Sequence, residues 1–261
     1  MQGKDKTSLQ KTQDLGGIYS DEWYKTQVDD SLKSARQIVP FLWRIFQPKS
    51  VIDVGCGRGA WLKAWLECGA EKTIGYDGAW NNQIKMLDER INFISIDLNK
   101  PIEDLIKADL VSSLEVAEHL KPSSSENFIH SLSKISDVIV FSAAFENQGG
   151  ENHINERRHT YWSELFKNLN YDTFDLIRPN FWNNRDVCWW YRQNTFVYVK
   201  KGTYEHGRLI DLGEKPLDLT VLQDSIHPDL YKLRLNQYLG IINSRSYRLS
   251  KYLSDLKSKF F

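Results

Sequence analysis

The residues best suited to chemistry lie where a short apolar run meets a glycine-rich loop. The stretch Ser50–Gly59 reads SVIDVGCGRG, with an aspartate inside the run and glycines at alternate positions after it. Such a run is typical of a buried parallel strand, and the glycines allow close approach of the backbone to a ligand. Ala60–Cys68 predicts a helix whose first N–H groups favour an anion such as a carboxylate.

Two cofactor classes fit this loop. Gly55, Gly57 and Ala60 match the dinucleotide fingerprint G-x-G-x-x-G/A. Asp53 and the third glycine instead complete Asp-x-Gly-x-Gly-x-Gly, which resembles motif I of the class I S-adenosylmethionine-dependent methyltransferases. The resemblance implies that the methionine end of this cofactor is held by Asp53, Gly55, Cys56, Gly57 and Gly59.

Acidic residues also end the next two predicted strands. Asp77 follows the run 73–76, where a carboxylate can accept hydrogen bonds from both ribose hydroxyls. A nicotinamide enzyme needs the same residue, so Asp77 does not separate the two cofactors. The resemblance implies that Asp97 and Leu98, after the third strand, hold adenine through its exocyclic amine and its ring face. A turn residue is the alternative for both aspartates.

The segment 109–120 predicts a fourth strand and its exit towards the ligand. It contains Glu-x-x-Glu-His-Leu, a run similar to the one found there in the same family. Residues that leave a central strand face the ligand crevice, so Glu115 is expected to line the cofactor site. A helix that begins near Val116 would place Glu115 and Glu118 on one face. His119 is a candidate base, with packing or hydrogen bonding as the alternative.

A polar, glycine-led loop after the fifth predicted strand is the main candidate for the acceptor side. Residues 148–162 resemble the His-x-Asn-Glu…Tyr-Trp segment of methyltransferases found among bacterial surface-polysaccharide enzymes. His153 is the leading candidate base, because an imidazole accepts a hydroxyl proton near neutral pH. A solvent-facing or hydrogen-bonding histidine is the alternative. Asn152 and Tyr161 are expected to contact the acceptor.

Aromatic residues flanked by arginines precede the last predicted strand. Aromatic faces bind sugar C–H surfaces and screen a sulfonium, and guanidinium groups hold phosphate or carboxylate. Arg178, Trp182 and Arg192 are therefore candidate acceptor contacts. Core packing explains part of the cluster, and aromatics beside arginines also stack RNA bases. The chain lacks the basic surplus of most RNA-binding enzymes, so nucleic acid is not an expected partner.

His153, Glu156 and His159 are candidate ligands of a divalent ion, which would lower the pKa of an acceptor hydroxyl. The spacing is not that of a dedicated structural site, and no cysteine pair supports zinc. The sequence therefore predicts no metal site.

Composition fits a single soluble enzyme. The 261 residues allow one elaborated α/β domain with appendages, and 34 basic and 34 acidic residues leave no global attraction to nucleic acid or acidic membranes. Three isolated cysteines and the lack of a secretory signal indicate a reducing cytoplasm. No apolar run approaches the roughly 20 residues that span a bilayer.

The elements that must position these residues alternate along the chain. Residues 19–46 predict a helix that Pro40 kinks or divides. Strands and helices then alternate, with a helix over 161–168 and strands near 171–177 and 195–200. This predicts a doubly wound, mostly parallel α/β sheet with right-handed crossovers. The resemblance implies a seven-stranded Rossmann-like sheet over residues 19–201, capped by the N-terminal helix, with a flexible stretch at 1–18 and a connector at 202–229.

The tail, residues 230–261, differs in charge from the rest of the chain. It carries seven basic residues and one acidic residue, and its apolar residues recur at helical steps. The pattern predicts an amphipathic helix or helix pair that contacts a membrane surface, a partner enzyme such as a glycosyltransferase, or a second copy of the chain. A helix folded onto the core is the alternative. A chain cut near Gly202 is expected to keep cofactor binding.

These features predict a class I S-adenosylmethionine-dependent methyltransferase that O-methylates a sugar or glycan precursor of a capsule or lipopolysaccharide, at the inner face of the membrane. The alternatives are another small polar metabolite with a nitrogen or phosphate-group acceptor, an RNA substrate, and a non-catalytic cofactor-binding protein. The protein must align the activated methyl group with the acceptor oxygen, exclude water and accept a proton.

Overall fold

A computed structural model of the chain describes residues 21–83, 85–102, 105–218 and 223–260. Its strands are β1 (Ser50–Val54), β2 (Lys72–Asp77), β3 (Ile91–Ser95), β4 (Leu110–Leu114), β5 (Val138–Ser142), β6 (Tyr171–Phe174) and β7 (Phe196–Lys200). They form one sheet in the order β3-β2-β1-β4-β5-β7-β6. Strand β7 is antiparallel to both of its neighbours, and the other pairs are parallel. The predicted seven-stranded, mostly parallel sheet is confirmed.

Helices cover both faces of this sheet and continue beyond it. They are α1 (Asp21–Phe46), α2 (Ala60–Cys68), α3 (Ser125–Ile135), α4 (His159–Asn168), α5 (Arg178–Phe181), α6 (Trp189–Asn194), α7 (Tyr204–Asp211), α8 (Pro228–Asn243) and α9 (Arg245–Phe260). Helix α4 begins two residues earlier than the sequence predicted, and β6 ends before Asp175. The stretch 1–18, predicted to be flexible, lies outside the described residues.

Each face of the sheet has its own hydrophobic cluster. Val51 joins the cluster that contains Leu42 of α1 and Trp65 of α2. Ile52, the next residue, joins the cluster that contains Phe128 of α3 and Trp162 of α4. Because successive side chains of a strand point to opposite faces, the apolar run of β1 fills both clusters and fixes the strand at the centre of the domain.

Of the two effects predicted for Pro40, a kink or a division of the first helix, helix α1 excludes the division. The helix is continuous from Asp21 to Phe46 with the proline inside it. Ile38, Val39 and Leu42 are fully buried around it and belong to the cluster shared with α2. A proline inside a helix removes one backbone hydrogen bond and introduces a steric clash with the preceding turn. The burial of these apolar side chains stabilises the continuous helix by more than the proline destabilises it.

The chain after β4 also differs from the prediction. The expected helix near Val116 is a single 3-10 turn, Ala117–His119, and α3 begins only at Ser125. Lys121 precedes Pro122 and has extended backbone angles, φ −59° and ψ 137°. A residue before proline is disfavoured in the helical region, so the chain cannot continue as a helix at this point. Glu115 and Glu118 are therefore not placed by a shared helix.

The segment after β7 is part of the packed domain rather than a separate connector. Leu209 of α7 is fully buried in the cluster shared with α1 and α2, and Leu230 of α8 is 3% exposed. Between them, Gln223 and His227 are buried and hydrogen-bonded to the domain. A boundary at residue 201 therefore divides one packed unit.

The predicted helix pair of the tail is present as α8 and α9. Arg234 of α8 donates a hydrogen bond to the carbonyl of Gln148, in the loop after β5. Farther on, large apolar side chains are exposed; they include Tyr238, Leu239, Ile241, Leu249, Tyr252 and Leu253. Among the described helices, we find none that is long and apolar enough to cross a membrane.

Candidate active site

The glycine loop joins β1 to α2 and is tied to the neighbouring strand. The N–H groups of Gly55 and Cys56 donate to the carbonyl of Tyr76 in β2, at 2.7 and 3.1 Å. Gly55 has a φ of 84°, and a Cβ there would lie 2.2 Å from Cγ2 of Val116. Gly57 has a φ of 51°, but a Cβ there would meet none of the described residues within 4 Å. The loop thus packs on the residues after β4 and leaves open space over Gly57.

Asp77 ends β2 beside this loop. Its Oδ2 accepts a hydrogen bond from the N–H of Gly57, and its Oδ1 accepts one from the N–H of Gly78, both at 2.7 Å. Burial raises the pKa of Asp77, and these two hydrogen bonds oppose the rise. The Trp80 side chain donates a third hydrogen bond, which leaves the carboxylate about one lone-pair site for a ribose hydroxyl.

Asp53 lies in β1, almost fully buried, and accepts a hydrogen bond from Oγ of Ser112 at 2.7 Å. Burial raises the pKa of Asp53 to about 7; the Ser112 hydrogen bond opposes this rise, and the nearby charge of Asp77 adds to it. Cys56 is also buried, and burial raises the pKa of its thiol, which therefore stays neutral. Its sulfur fills the space left by Gly75, where a Cβ would lie 2.5 Å away.

Asp97 and Leu98 follow β3 at the same edge of the sheet. The N–H of Ile96 donates to the carbonyl of Asp77 at 2.8 Å, which brings the ends of β2 and β3 together. The Asp97 side chain is exposed and lies 3.6 Å from Nζ of Lys100, whereas Leu98 is buried. A pocket beside them is lined by Ile96, Asp97, Lys100, Pro101 and Ile102.

This edge of the sheet fits a cationic adenosine cofactor. Two buried carboxylates, Asp53 and Asp77, lie beside the glycine loop, and open space lies over Gly57. Helix α2 begins directly after the loop with no side-chain cap, which leaves its first N–H groups to an anionic ligand group.

Glu115, at the end of β4, is held in a buried hydrogen-bond network. It has a positive φ of 56°, and its N–H donates to Oγ of Ser142 at 3.1 Å. Its carboxylate accepts from Nδ2 of Asn194 at 3.1 and 3.2 Å and from Nε2 of Gln148 at 3.4 Å. Burial raises the pKa of Glu115, and the hydrogen bond from Asn194 opposes this rise. Sequence reasoning missed Gln148 and Asn194 as site residues, because no local pattern marks their approach to Glu115.

The two candidate bases, His119 and His153, lie next to each other. Their ring centroids are 4.8 Å apart at an interplanar angle of 84°. His153 Nδ1 lies 2.8 Å from Oε1 of Glu156. Solvent reaches His119, but partial burial and then the neighbouring His153 lower its pKa to about 4, which a hydrogen bond with the backbone of Asn152 opposes. His119 is therefore neutral at physiological pH.

Backbone hydrogen bonds explain why these distant histidines meet. The carbonyl of Glu118 accepts from the N–H groups of Ile154 and Asn155, each at 2.9 Å. The side chain of Asn155 also donates to the carbonyl of Ala117 at 3.1 Å. The loop after β5 is thereby fixed against the turn after β4, with His153 beside His119.

The Glu118 side chain lies under the two histidines and is fully buried. Within the described part of the chain, neither of its carboxylate oxygens makes a hydrogen bond of ordinary geometry. Burial and then the charge of Glu115 raise its pKa well above the usual range, and the backbone N–H groups of Glu118 and Ala144 oppose the rise. Burial thus disfavours the charged form of a side chain to which the sequence assigned no separate role.

The three candidate metal ligands, His153, Glu156 and His159, do not meet at one place in the structure. His159 is buried, with Nδ1 3.0 Å from the carbonyl of Gln223 and Nε2 3.1 Å from Oδ1 of Asn194. A different set, Glu118, His119 and His153, brings one ligand atom of each residue within 4.8 Å of the others.

Arg178 and Arg192 lie inside the domain rather than at an open acceptor surface. Arg178 pairs with Asp175 at 2.7 Å and donates to the carbonyl of Gln223 at 2.8 Å. Arg192 donates to the carbonyl of Trp182 at 2.8 Å and to Asp229 at 3.1 Å. The Trp182 ring packs on His227, with centroids 4.6 Å apart. In the structure these three predicted acceptor contacts fasten α5 and α6 to the C-terminal segment.

Of the other two predicted acceptor contacts, Asn152 forms a backbone hydrogen bond with His119, whereas Tyr161 packs on Trp162 of the same helix. Asn152 is exposed with a φ of 58°, a conformation that asparagine tolerates better than most residues. Tyr161 is half-buried, and the guanidinium of Arg157 lies 5.3 Å from its ring centroid. Tyr161 is one of the residues that line a pocket, together with Glu146, Glu156, Arg157, Arg158, Thr160 and Glu164.

The strand order, the antiparallel β7 and the glycine loop after β1 define the Rossmann-like fold of class I S-adenosylmethionine-dependent methyltransferases. The family described as "Methyltransferase domain" matches residues 24–201. The chain belongs to this family, whose cofactor is S-adenosylmethionine.

Individual relatives are more distant. The mitochondrial ubiquinone biosynthesis O-methyltransferase of Dictyostelium discoideum is 36% identical over 102 residues, which are 33% of this chain and 31% of that protein. The chain thus spans about a third of that relative. An O-methyltransferase family protein from Burkholderia thailandensis has a TM-score of 0.51 at 11% identity, covering 70% of this chain and 61% of its own. A structure of a methyltransferase activator of Haloferax volcanii in complex with a protein assigned as a methyltransferase has a TM-score of 0.51 at 17% identity, covering 69% and 94%. The structural likenesses show the fold.

Proposed function

We propose that this protein transfers the methyl group of S-adenosylmethionine to a hydroxyl oxygen of a polar acceptor, a sugar or glycan precursor. The observation that carries the proposal is the pairing of His119 and His153 at the same end of the sheet as the glycine loop. Val116 contacts the loop at Gly55 and stands three residues before His119, so cofactor side and acceptor side are adjacent.

The residues around His153 suit it to accept a proton. The carboxylate of Glu156 accepts a hydrogen bond from Nδ1–H of His153, which leaves the lone pair on Nε2. A Cβ at Gly150 would lie 2.3 Å from Nε2, so only a glycine there allows the ring of His153 to take this position. Nε2 takes the hydroxyl proton while the acceptor oxygen bonds to the methyl carbon. When bound, the cofactor supplies the activated methyl group and keeps the C–S electron pair on sulfur.

The charged acceptor side favours a polar substrate. The pocket that Tyr161 lines also contains the charged side chains of Glu146, Glu156, Arg157 and Arg158. These groups suit the hydroxyl, carboxylate or phosphate groups of an activated sugar. The O-methyltransferase relative from ubiquinone biosynthesis makes a hydroxyl of a ubiquinone precursor the second candidate acceptor. The resemblance of residues 148–162 to surface-polysaccharide enzymes supports the assignment to capsule or lipopolysaccharide synthesis.

Methyl transfer to a panel of acceptors tests this function. The full chain is incubated with methyl-labelled S-adenosylmethionine and nucleotide-linked sugars, short oligosaccharides, a catechol or an RNA. We expect label on a sugar oxygen, located by NMR of the product. Transfer to the catechol or RNA alone would refute the glycan assignment, and no transfer to any hydroxyl acceptor would refute O-methylation.

The pKa of Asp53 predicts how cofactor affinity depends on pH. In the free protein Asp53 has a pKa of about 7. The α-ammonium group at the amino-acid end of a bound cofactor favours the charged form of Asp53. Affinity for S-adenosylhomocysteine, measured by calorimetry, is therefore expected to rise about tenfold from pH 6 to pH 8. The Asp53→Asn variant should bind more weakly at pH 8 and lose this dependence. An unchanged pH profile in the variant would exclude Asp53 as its source.

The same shift has the opposite consequence for the stability of the free protein. The folded chain holds the Asp53 proton up to about pH 7, whereas the unfolded chain releases it near pH 4. The contribution of Asp53 to the free energy of unfolding therefore falls as the pH rises from about 4 to about 7, and is constant above that range.

The tail is proposed to bind the anionic inner surface of the cytoplasmic membrane. Residues 230–261 carry a net charge of +6, from seven basic residues and one acidic residue. Residues 245–254 of α9 are exposed, and apolar Leu249, Tyr252 and Leu253 are among them. Basic and apolar side chains on one exposed helix suit an interfacial position. A second copy of the chain and a glycosyltransferase are the alternative partners.

A further inference from the structure

We propose that Glu118, His119 and His153 bind one divalent transition-metal ion at the acceptor end of the site. One ligand atom from each residue lies within 4.8 Å of the other two. Two ligands on opposite sides of an ion, each about 2.1 Å from it, are about 4.2 Å apart. Small side-chain movements would therefore complete the coordination.

The buried carboxylate of Glu118 independently indicates a cation at this position. The residue is fully buried, and among the described residues its oxygens have no hydrogen bond of ordinary geometry, only the weaker approach of the backbone N–H groups of Glu118 and Ala144. An unpartnered polar group in a protein interior costs folding free energy, and buried carboxylates are normally paired or bound to a metal. A bound cation supplies the missing partner.

Neighbouring groups orient the two imidazole rings as they do for metal ligands. Glu156 holds Nδ1 of His153 at 2.8 Å, and the backbone of Asn152 forms a hydrogen bond with His119. Each ring is then left with one nitrogen for an ion, in the arrangement common for metal-bound histidines. Two imidazole nitrogens and one carboxylate favour Mn²⁺, Fe²⁺, Co²⁺ or Zn²⁺ over Mg²⁺ and Ca²⁺.

The catalytic role of the ion rests on the proposed methyl transfer. The binding of the ion by the protein does not depend on that proposal. The ion would lower the pKa of an acceptor hydroxyl, whose proton would then pass to solvent water. The oxygen then bonds to the methyl carbon as the C–S bond breaks, and S-adenosylhomocysteine leaves. In this state His153 is a ligand, whereas without the ion it is the base. Loss of turnover in a His153 variant does not distinguish a metal ligand from a base. The test therefore measures the binding of the metal ion.

Mn²⁺ binding to the full chain provides that test. The protein is stripped with a chelator, dialysed and titrated with Mn²⁺, and free Mn²⁺ is followed by electron paramagnetic resonance. We expect one bound ion per chain, lost in Glu118→Gln and in His119→Ala. Glu156→Gln, which removes only the support of His153, should weaken binding about 10–100-fold. Glu151→Gln changes an exposed acid of the same loop and should bind as the unmodified chain does.

Calorimetry with S-adenosylhomocysteine serves as the control for whether each variant retains the folded cofactor site. The proposal is overturned if the unmodified chain leaves all Mn²⁺ free, or if folded Glu118→Gln binds it equally well. Mn²⁺ binding without methyl transfer to any acceptor would uphold the metal site and refute the proposed function. Full methyl transfer in excess chelator, with Mn²⁺ binding intact, would refute the catalytic role of the ion.

Discussion

Replacement of His153 by alanine is expected to lower methyl-transfer turnover by roughly 10²–10⁴-fold, the range for loss of a general base. The imidazole lies 4.8 Å from His119, and Glu156 holds its Nδ1. Cofactor affinity should be unchanged, because the residues proposed to hold the cofactor lie at the glycine loop and at the ends of β2 and β3. Turnover is measured with the identified acceptor, and affinity by calorimetry with S-adenosylhomocysteine.

His130→Ala is the matched control. This histidine is exposed on α3, and its removal should leave turnover unchanged. Near-normal turnover of His153→Ala would transfer the role to His119 or a carboxylate, or indicate a reaction that needs no base. A parallel loss of cofactor affinity would instead indicate that His153 supports the fold of the site.

Truncation after residue 201 is expected to abolish cooperative folding, contrary to the sequence-based expectation that this cut keeps cofactor binding. The cut removes buried Leu209 and Leu230, and it removes Gln223 and Asp229, which pair with the interior arginines Arg178 and Arg192. The burial of each leucine side chain contributes about 1.5–3 kcal/mol, against a stability of about 5–15 kcal/mol for a typical domain. Thermal melting followed by circular dichroism measures the result.

A shorter truncation, after residue 244, separates stability from membrane binding. It removes only α9, whose residues 245–254 are exposed, and leaves Arg234 in contact with the loop after β5. This variant should melt as the full chain does and bind S-adenosylhomocysteine normally, but lose binding to vesicles with anionic lipid. Undiminished vesicle binding by the chain cut after residue 244 would refute the membrane role of α9. A cooperative melt of the chain cut after residue 201 would refute the structural role of residues 202–230.

Much of the fold and the cofactor side could be predicted from the sequence because the relevant signals are local. The apolar run 51–54 with its following glycines specifies strand, loop and helix within 18 residues. Asp77 and Asp97 end neighbouring parallel strands, whose carboxyl ends meet at one edge of the sheet. Local signals failed where packing outweighed them, as at Pro40 inside α1.

The acceptor side depended on tertiary structure. Hydrogen bonds from Ile154 and Asn155 to the carbonyl of Glu118 bring His153 against His119, across 34 positions of the chain. The burial of Arg178 likewise depends on Gln223, 45 positions away. The sequence determined which strand ends carry acids and glycines, since each is set by residues within one strand–loop–helix unit. Only the tertiary structure decided which histidines and carboxylates meet, since long-range backbone hydrogen bonds and desolvation carry no short-range sequence signal.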